Sequence, residues 1–330
     1  MSPSDCRDGT LPSVPSRGDG TLPSVPSRGD GTLPSAPGRV TTLHETAPGK
    51  LNLTLDVLGK RPDGYHELEM VMISVSLRDS LTLELGTGEP WSVCCDRPGI
   101  PAGPDNLCWK AAEAYFGAAG LDPDGLRIRV EKHIPAQAGM AGGSSDAAAV
   151  LRALNRHYGR FSDDALREIG LTVGSDVPYC LFGGVALARG RGERLTRLPD
   201  LPGELNFVLV KPELSISTPA LFRELDAAGV TARPDTEAMV SAIARKDRNA
   251  IGASLQNAFE PLVTAQYPMV EELRQVLLAH GAIGARLTGT GSVVFGLFCS
   301  KLRAFSAALE LETLCPEVFL AEALPAPTKP

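Results

Sequence analysis

Leu53, Leu55 and Val57 alternate with Thr54 and Asp56; Leu81, Leu83 and Leu85 with Thr82 and Glu84; Leu126, Ile128 and Val130 with Arg127, Arg129 and Glu131. A period of two puts one face of an extended chain toward a core, so these runs predict half-buried strands. Between them the period changes. Ala111, Ala114 and Tyr115 share one face of a helix opening near Asp105-Asn106, and Ala147, Val150, Leu151 and Leu154 repeat at helical spacing until Gly159. Further on, a strand over 205–210 stops at Pro212, and helices are predicted over 219–227, 236–244 and 269–279. Strands over 285–288 and 293–298 then precede a helix over 302–311. Strands and helices mixed in this way predict an α+β fold with two lobes. The N-terminal lobe has a mixed sheet with helices, and the C-terminal lobe an antiparallel sheet covered by helices. Pro199, Pro202 and Gly203 mark the boundary, giving lobes over 40–200 and 201–322 and a flexible tail over 323–330.

Folded patterning begins only near Val40. The first 39 residues carry an eleven-residue repeat, Asp8 to Gly18 and Asp19 to Gly29, with a third copy from Asp30 that decays after Ser35. Each copy holds one Leu and no aromatic residue, too little apolar surface to offset the entropy of ordering a Pro/Gly/Ser segment. A disordered tail without catalytic function is expected; the Asp in every repeat argues against a plastid-type transit peptide.

Composition narrows the class. With 43% hydrophobic and 22% charged among 330 residues, the chain can bury a substantial core. No run reaches the roughly 18 to 20 apolar residues that span a bilayer, and no secretory stretch opens the sequence, so a cytoplasmic protein without a membrane partner is expected. Seven scattered cysteines without a C-x-x-C pair indicate neither a disulfide framework nor a zinc site. The net charge of −7 and the lack of a basic, aromatic-laced cluster make nucleic acid an unsuitable partner. A small-molecule partner follows, and an anionic one needs a local positive site. Oligomeric state, monomer or homodimer, stays open.

The segment Ile134 to Ala147, IPAQAGMAGGSSDA, lies between a strand and an Ala-rich helix. Its glycines let backbone N–H groups approach a ligand, Ser144 and Ser145 offer hydroxyls, and the following helix aims its free N–H groups at the same point. That is an anion cradle. It matches neither G-x-x-x-x-G-K-[ST] nor G-x-G-x-x-G, which sets aside the Walker and dinucleotide readings. Lys50 follows a Pro-Gly turn at a strand start, where an ammonium can stabilise charge on a migrating phosphoryl group. Asp176 stands in Gly174-Ser175-Asp176-Val177-Pro178, a segment expected not to form regular helix because Pro178 pushes its neighbour toward extended geometry. Tyr65 and His66, after the Asp63-Gly64 turn, offer a ring face and a hydrogen-bonding edge.

With P-x-x-x-G-M-A-G-G-S-S-D-A-A, the chain resembles the galactokinase, homoserine kinase, mevalonate kinase and phosphomevalonate kinase (GHMP) superfamily. Four more segments, Ala47 to Leu53, Arg61 to Leu68, Gly174 to Pro178 and Leu287 to Gly291, resemble in order and spacing the 4-diphosphocytidyl-2-C-methyl-D-erythritol kinase family within it. The likeness runs from about Val40 to about Leu320. The family usually shows Gly where Gln137 and Ala141 stand, and Ala where Gly49 and Ser175 stand.

The resemblance implies an ATP-dependent small-molecule kinase with Lys50 and the general base Asp176 at its centre. It implies that Tyr65 and Phe222 sandwich a cytosine, that His66 meets its edge, and that Asn52 and Thr218 face the diphosphate and erythritol portions. Asn106, Leu107 and Lys132 are implied near adenine. The loop residues Pro135, Ala136, Gln137, Ala138, Gly139, Met140, Ala141, Gly142, Gly143, Ser144 and Ser145 are implied around the ATP phosphates. Mg²⁺ is expected with ATP, with no ligands named. Two other readings stand beside this one: a sister kinase acting on mevalonate or homoserine, and a non-catalytic nucleotide sensor, for which intact Lys50 and Asp176 would be superfluous.

Overall fold

The computed structural model describes residues 40–203 and 205–327. The repeat tail expected over 1–39 lies outside these residues. In chain order the first half carries strands β1 (Thr41–Lys60), β2 (His66–Leu85) and β3 (Ser92–Cys95), helix α1 (Leu107–Ala119), β4 (Leu126–Glu131), α2 (Gly142–Tyr158), α3 (Asp163–Val173), α4 (Val177–Phe182), β5 (Val185–Gly190) and β6 (Arg194–Arg197). The second half carries β7 (Asn206–Lys211), α5 (Thr218–Ala228), α6 (Thr236–Ala244), α7 (Arg248–Ala253), β8 (Gln256–Asn257), α8 (Glu260–Gln266), α9 (Pro268–Ala279), β9 (Gly284–Leu287), β10 (Val294–Phe298), α10 (Lys301–Leu311) and β11 (Glu317–Glu322).

The first sheet is mixed, with strand order β3-β4-β2-β1-β8 and β5 and β6 branching from β2; the second is four antiparallel strands in the order β11-β7-β10-β9. The α+β, two-sheet architecture read from the patterning is the one observed. Two elements cross between the halves. β8 runs parallel to β1 in the first sheet, pairing Thr54 with Gln256 and Leu55 with Asn257. Past β11, Ala323 bridges Val75 and the Leu324 N–H donates to Ser74 O. Ordered pairing thus runs beyond residue 322, where the sequence suggests a flexible tail.

The cores explain why the halves hold together. One apolar cluster packs Ala111, Tyr115 and Phe116 of α1 and Val150, Leu151 and Leu154 of α2 against Leu83 and Ile128. The other two clusters mix both sheets: Leu55, Met70 and Met72 meet Val208, Val210 and Val294, while Leu51, Leu53 and Ile73 meet Phe207, Leu209 and Phe295. β1 is therefore covered on both faces from Lys50 to Val57, and the expected half-buried strand is corrected here. Its alternating polar residues survive burial by pairing: Thr54 Oγ1 accepts from Val71 N, and Asp56 meets Arg233.

Local chemistry sets the element ends. Asn106 caps α1 by accepting from Cys108 N, and Gly120 closes it in the left-handed conformation at φ 63°. The β1–β2 ladder slips between Pro48 and Lys50, where proline has no N–H to donate. The slip turns the Lys50 N–H out of the ladder to donate to Met140 O at 3.1 Å, tying β1 to the glycine loop.

Candidate active site

α2 opens the site. Its N-cap position is Ala141 in the left-handed region at φ 56°, with no side-chain cap, so the first-turn N–H groups have no side-chain acceptor at that position. Gln137 is also left-handed, at φ 51°. These are the two loop positions where glycine would be usual, so the chain holds in strained form a turn that glycine adopts freely. The loop is braced from the other half of the molecule: a Cβ on Gly139 would lie 2.2 Å from Thr288 O, and one on Gly289 would lie 2.8 Å from Gly139 O. Only bare backbone fits on either side of that contact.

A cavity of about 660 Å³ lies in front of the loop, lined by Gln137, Gly139, Ala141 and Ser144 together with Lys50 and Asp176. It continues past Asn52, Tyr65, His66, Thr218 and Phe222. Far apart in sequence, Lys50 on β1 and Asp176 before α4 thus face one space with the glycine loop. Asp176 sits at the N-cap position of α4, and Pro178 occupies its first turn. The expectation that this segment avoids helix is wrong, because proline is tolerated in a first turn, where its missing N–H is an orphan anyway. The Asp176 carboxylate makes no capping bond, so it stays available to the cavity.

Lys50 is buried, and its ammonium donates to Asn52 Oδ1 at 2.7 Å. Burial lowers its pKa below the ordinary 10.5, against the opposing charge of Asp176 and, less strongly, Cys180. No direct ion pair joins Lys50 to Asp176 among the described residues. Asn52 is fully engaged: its Nδ2 donates to Met70 Sδ and its N–H to Thr288 Oγ1. It orients the ammonium and lines the cavity.

Farther along the cavity the His66 and Phe222 rings stack, with centroids 4.5 Å apart and planes 25° apart. His66 Nε2 lies 2.7 Å from Asp226 Oδ1, and Lys60 Nζ meets the other oxygen of the same carboxylate at 3.1 Å. The Tyr65 ring is half exposed and lies under the Arg191 guanidinium, 4.0 Å from its centroid. Phe222 thus has His66 on one face, and Tyr65 has the Arg191 guanidinium on one of its own. Thr218 Oγ1 is hydrogen-bonded to Thr290 Oγ1 at 2.7 Å, and Gln137 Oε1 accepts from Ser215.

Several residues expected near the nucleotide also carry bonds within the fold. The Ser145 hydroxyl donates to Pro48 O at 2.7 Å, and Asn106 uses Oδ1 as the α1 cap and Nδ2 on Pro101 O. Lys132 was expected beside adenine, but its ammonium is buried between Asp79 and Asp146. Leu107 packs close to Gly143. Pro135, Ala138 and Met140 are buried under the loop, Ala136 is exposed, and Gly142 and Gly143 form the first residues of α2.

Sequence reasoning missed four residues. Arg191 lines the cavity and its buried Nε has no partner; its only signal was a lone Arg between two glycines. Asp226 follows Phe222 by four, on the same helical face, which could have been read. Asp79 and Asn257 gave no local signal. Asn257 Nδ2 donates to Leu287 O and Gly289 O and so holds the Thr288-to-Gly291 turn against the loop. Among the described residues no three His, Cys, Asp or Glu side chains gather to hold a metal ion, and no helix is long and apolar enough to cross a membrane.

Residues 106–184 match the GHMP kinases N terminal domain and residues 239–317 the GHMP kinases C terminal domain. The 4-diphosphocytidyl-2-C-methyl-D-erythritol kinase of Pelotomaculum thermopropionicum is 47% identical over 249 residues, covering 75% of this chain and 86% of the relative. That of Caldicellulosiruptor saccharolyticus is 40% identical over 272 residues, covering 82% and 93%. A solved structure of a 4-(cytidine 5′-diphospho)-2C-methyl-D-erythritol kinase superposes with a TM-score of 0.72 at 35% identity, covering 85% of this chain and 99% of that one.

Proposed function

The chain belongs to the 4-diphosphocytidyl-2-C-methyl-D-erythritol kinase family of GHMP small-molecule kinases, and from that premise we infer that it moves the γ-phosphoryl group of ATP onto the 2-hydroxyl of 4-(cytidine 5′-diphospho)-2-C-methyl-D-erythritol, in the non-mevalonate route to isopentenyl diphosphate. The observation that carries the reading is the convergence of Lys50, Asp176 and the Gly139-to-Ser144 loop on one cavity.

The chemistry follows from the parts. Loop amides and the open first turn of α2 hold the triphosphate, as free N–H groups and the helix dipole favour an anion. The Asp176 carboxylate takes the proton of the substrate hydroxyl as its oxygen attacks the γ-phosphorus in line, and ADP leaves with the bridging electrons. The Lys50 ammonium, aimed by Asn52, stabilises charge on the transferring group. The far end of the cavity, with Tyr65, His66, Phe222 and Arg191, receives the cytidylyl portion. Mg²⁺ would arrive with ATP and neutralise phosphate charge; the described residues offer no three-ligand cage for it, and no step here runs through the ion.

A coupled ATP-consumption assay with the cytidylyl alcohol, mevalonate and homoserine tests the reading. Turnover is expected with the first alone; turnover of either other alcohol with the cytidylyl compound untouched overturns it. Asp176→Asn should cost on the order of 10³-fold in kcat while leaving ATP binding, measured by calorimetry, intact. Wild-type turnover in that variant would remove Asp176 from the mechanism.

A further inference from the structure

We propose that Asp226 sets pyrimidine specificity as a positioning residue: by accepting the Nε2 proton of His66 it fixes the imidazole tautomer whose Nδ1 is an acceptor, suited to the exocyclic amine of cytosine and unsuited to the carbonyl of uracil. The proposal rests on the functional reading above and deepens it.

Asp226 Oδ1 lies 2.7 Å from His66 Nε2. A carboxylate only accepts, so the proton between them must sit on Nε2. The carboxyl group of Asp226 is held below its ordinary range by the bond to His66 and then by the bond to Lys60, which keeps it in the accepting form. A neutral ring with its proton on Nε2 presents a bare lone pair at Nδ1. Nδ1 has no partner among the described residues, and the ring lines the cavity. Because the imidazole lies within 25° of the Phe222 plane, a base bonded in the plane of Nδ1 extends the layer already resting on Phe222. Cytosine offers an N–H at its 4-position; uracil offers an oxygen there, whose lone pairs face that of Nδ1. The Asp226 carboxylate is bonded to His66 and Lys60, so it acts through His66.

Two measurements test this. In the wild-type protein, ¹⁵N chemical shifts of His66 should report protonated Nε2 and unprotonated Nδ1 at neutral pH; the opposite tautomer overturns the proposal whatever the substrate proves to be. The kcat/KM ratio for the cytidylyl alcohol over its uridylyl counterpart is then compared between wild type, Asp226→Asn and Asp226→Glu. An amide can donate to Nε2 and so permit the other tautomer, and the ratio should drop roughly tenfold or more in Asp226→Asn, with KM for ATP little changed and part of the preference kept in Asp226→Glu. An unchanged ratio in Asp226→Asn, with both substrates weakened equally, would reduce Asp226 to structural support and overturn the assignment. A wild-type enzyme inactive on both pyrimidine substrates would sink the functional reading itself, while the tautomer measurement would still stand or fall on its own.

Discussion

Lys50 carries its charge at a cost. A buried ammonium with only Asn52 Oδ1 as an acceptor is easier to deprotonate than an exposed one, so its pKa lies below 10.5. If the charged form supports transfer, kcat falls as pH rises through that lowered value, earlier than an ordinary lysine allows. A pH–rate profile should show an alkaline limb that disappears in Lys50→Arg, whose guanidinium stays charged, whatever that variant's absolute rate; a limb that persists would have another source. Ala141 invites a second test. Its φ of 56° disfavours any Cβ, so Ala141→Gly should raise stability by about 1 kcal/mol, visible as a higher Tm; a lower Tm would mean the loop is not strained there. Lys50 and Asp176 were singled out because the segments around them resemble those of a kinase family, and both line the cavity. What Asn52 does was not legible, since its bonds reach Met70 and Thr288, 18 and 236 residues away.

Among the elements, α2 is the one whose foundation was hidden. Under its first turn Lys132 lies between Asp79 and Asp146, while Asp79 Oδ1 accepts from the N–H groups of His133 and Ile134. Two buried carboxylates share one ammonium, and burial, more than anything else, raises the Asp146 pKa to about 7. The sign is fixed by linkage: with a folded value near 7 and an ordinary one of 3.8, the folded state binds the extra proton. That contribution to stability is complete below 3.8 and is lost as pH rises through about 7. Asp146→Asn should flatten the dependence of Tm on pH across this window, and an unchanged slope would relocate the titration. Periodicity found α1, α2, α6 and α9 because each has an apolar stripe, to which α1 and α6 add a side-chain cap and α9 a proline start. β8 escaped because two residues have no period, and α4 because its proline reads as a breaker until it is seen in a first turn. The triad escaped because its members are 53 and 14 residues apart.

For the whole molecule, the two-lobe reading captured the sheets and missed how they share their interior. Apolar residues of β1 and β2 interleave with those of β7 and β10 in two of the three clusters. A large apolar interface of this kind couples the halves, unlike the more polar, movable contact usual between domains in a chain. Scanning calorimetry of the protein should therefore show one cooperative transition, with calorimetric and van't Hoff enthalpies in agreement; two resolved peaks would show that each half melts alone. Patterning could not foresee this, because alternation tells which residues are buried but not what buries them.

The bare-backbone contact between Gly139 and the Thr288-to-Gly291 turn has a consequence for synthesis. A ribosome that has reached residue 200 has made the glycine loop, its lysine and its carboxylate, yet the wall behind them is still about ninety codons away. Nucleotide can therefore help to stabilise the nascent chain only once that turn has been made, and the earlier part must stand on its own core around α1 and α2 until then.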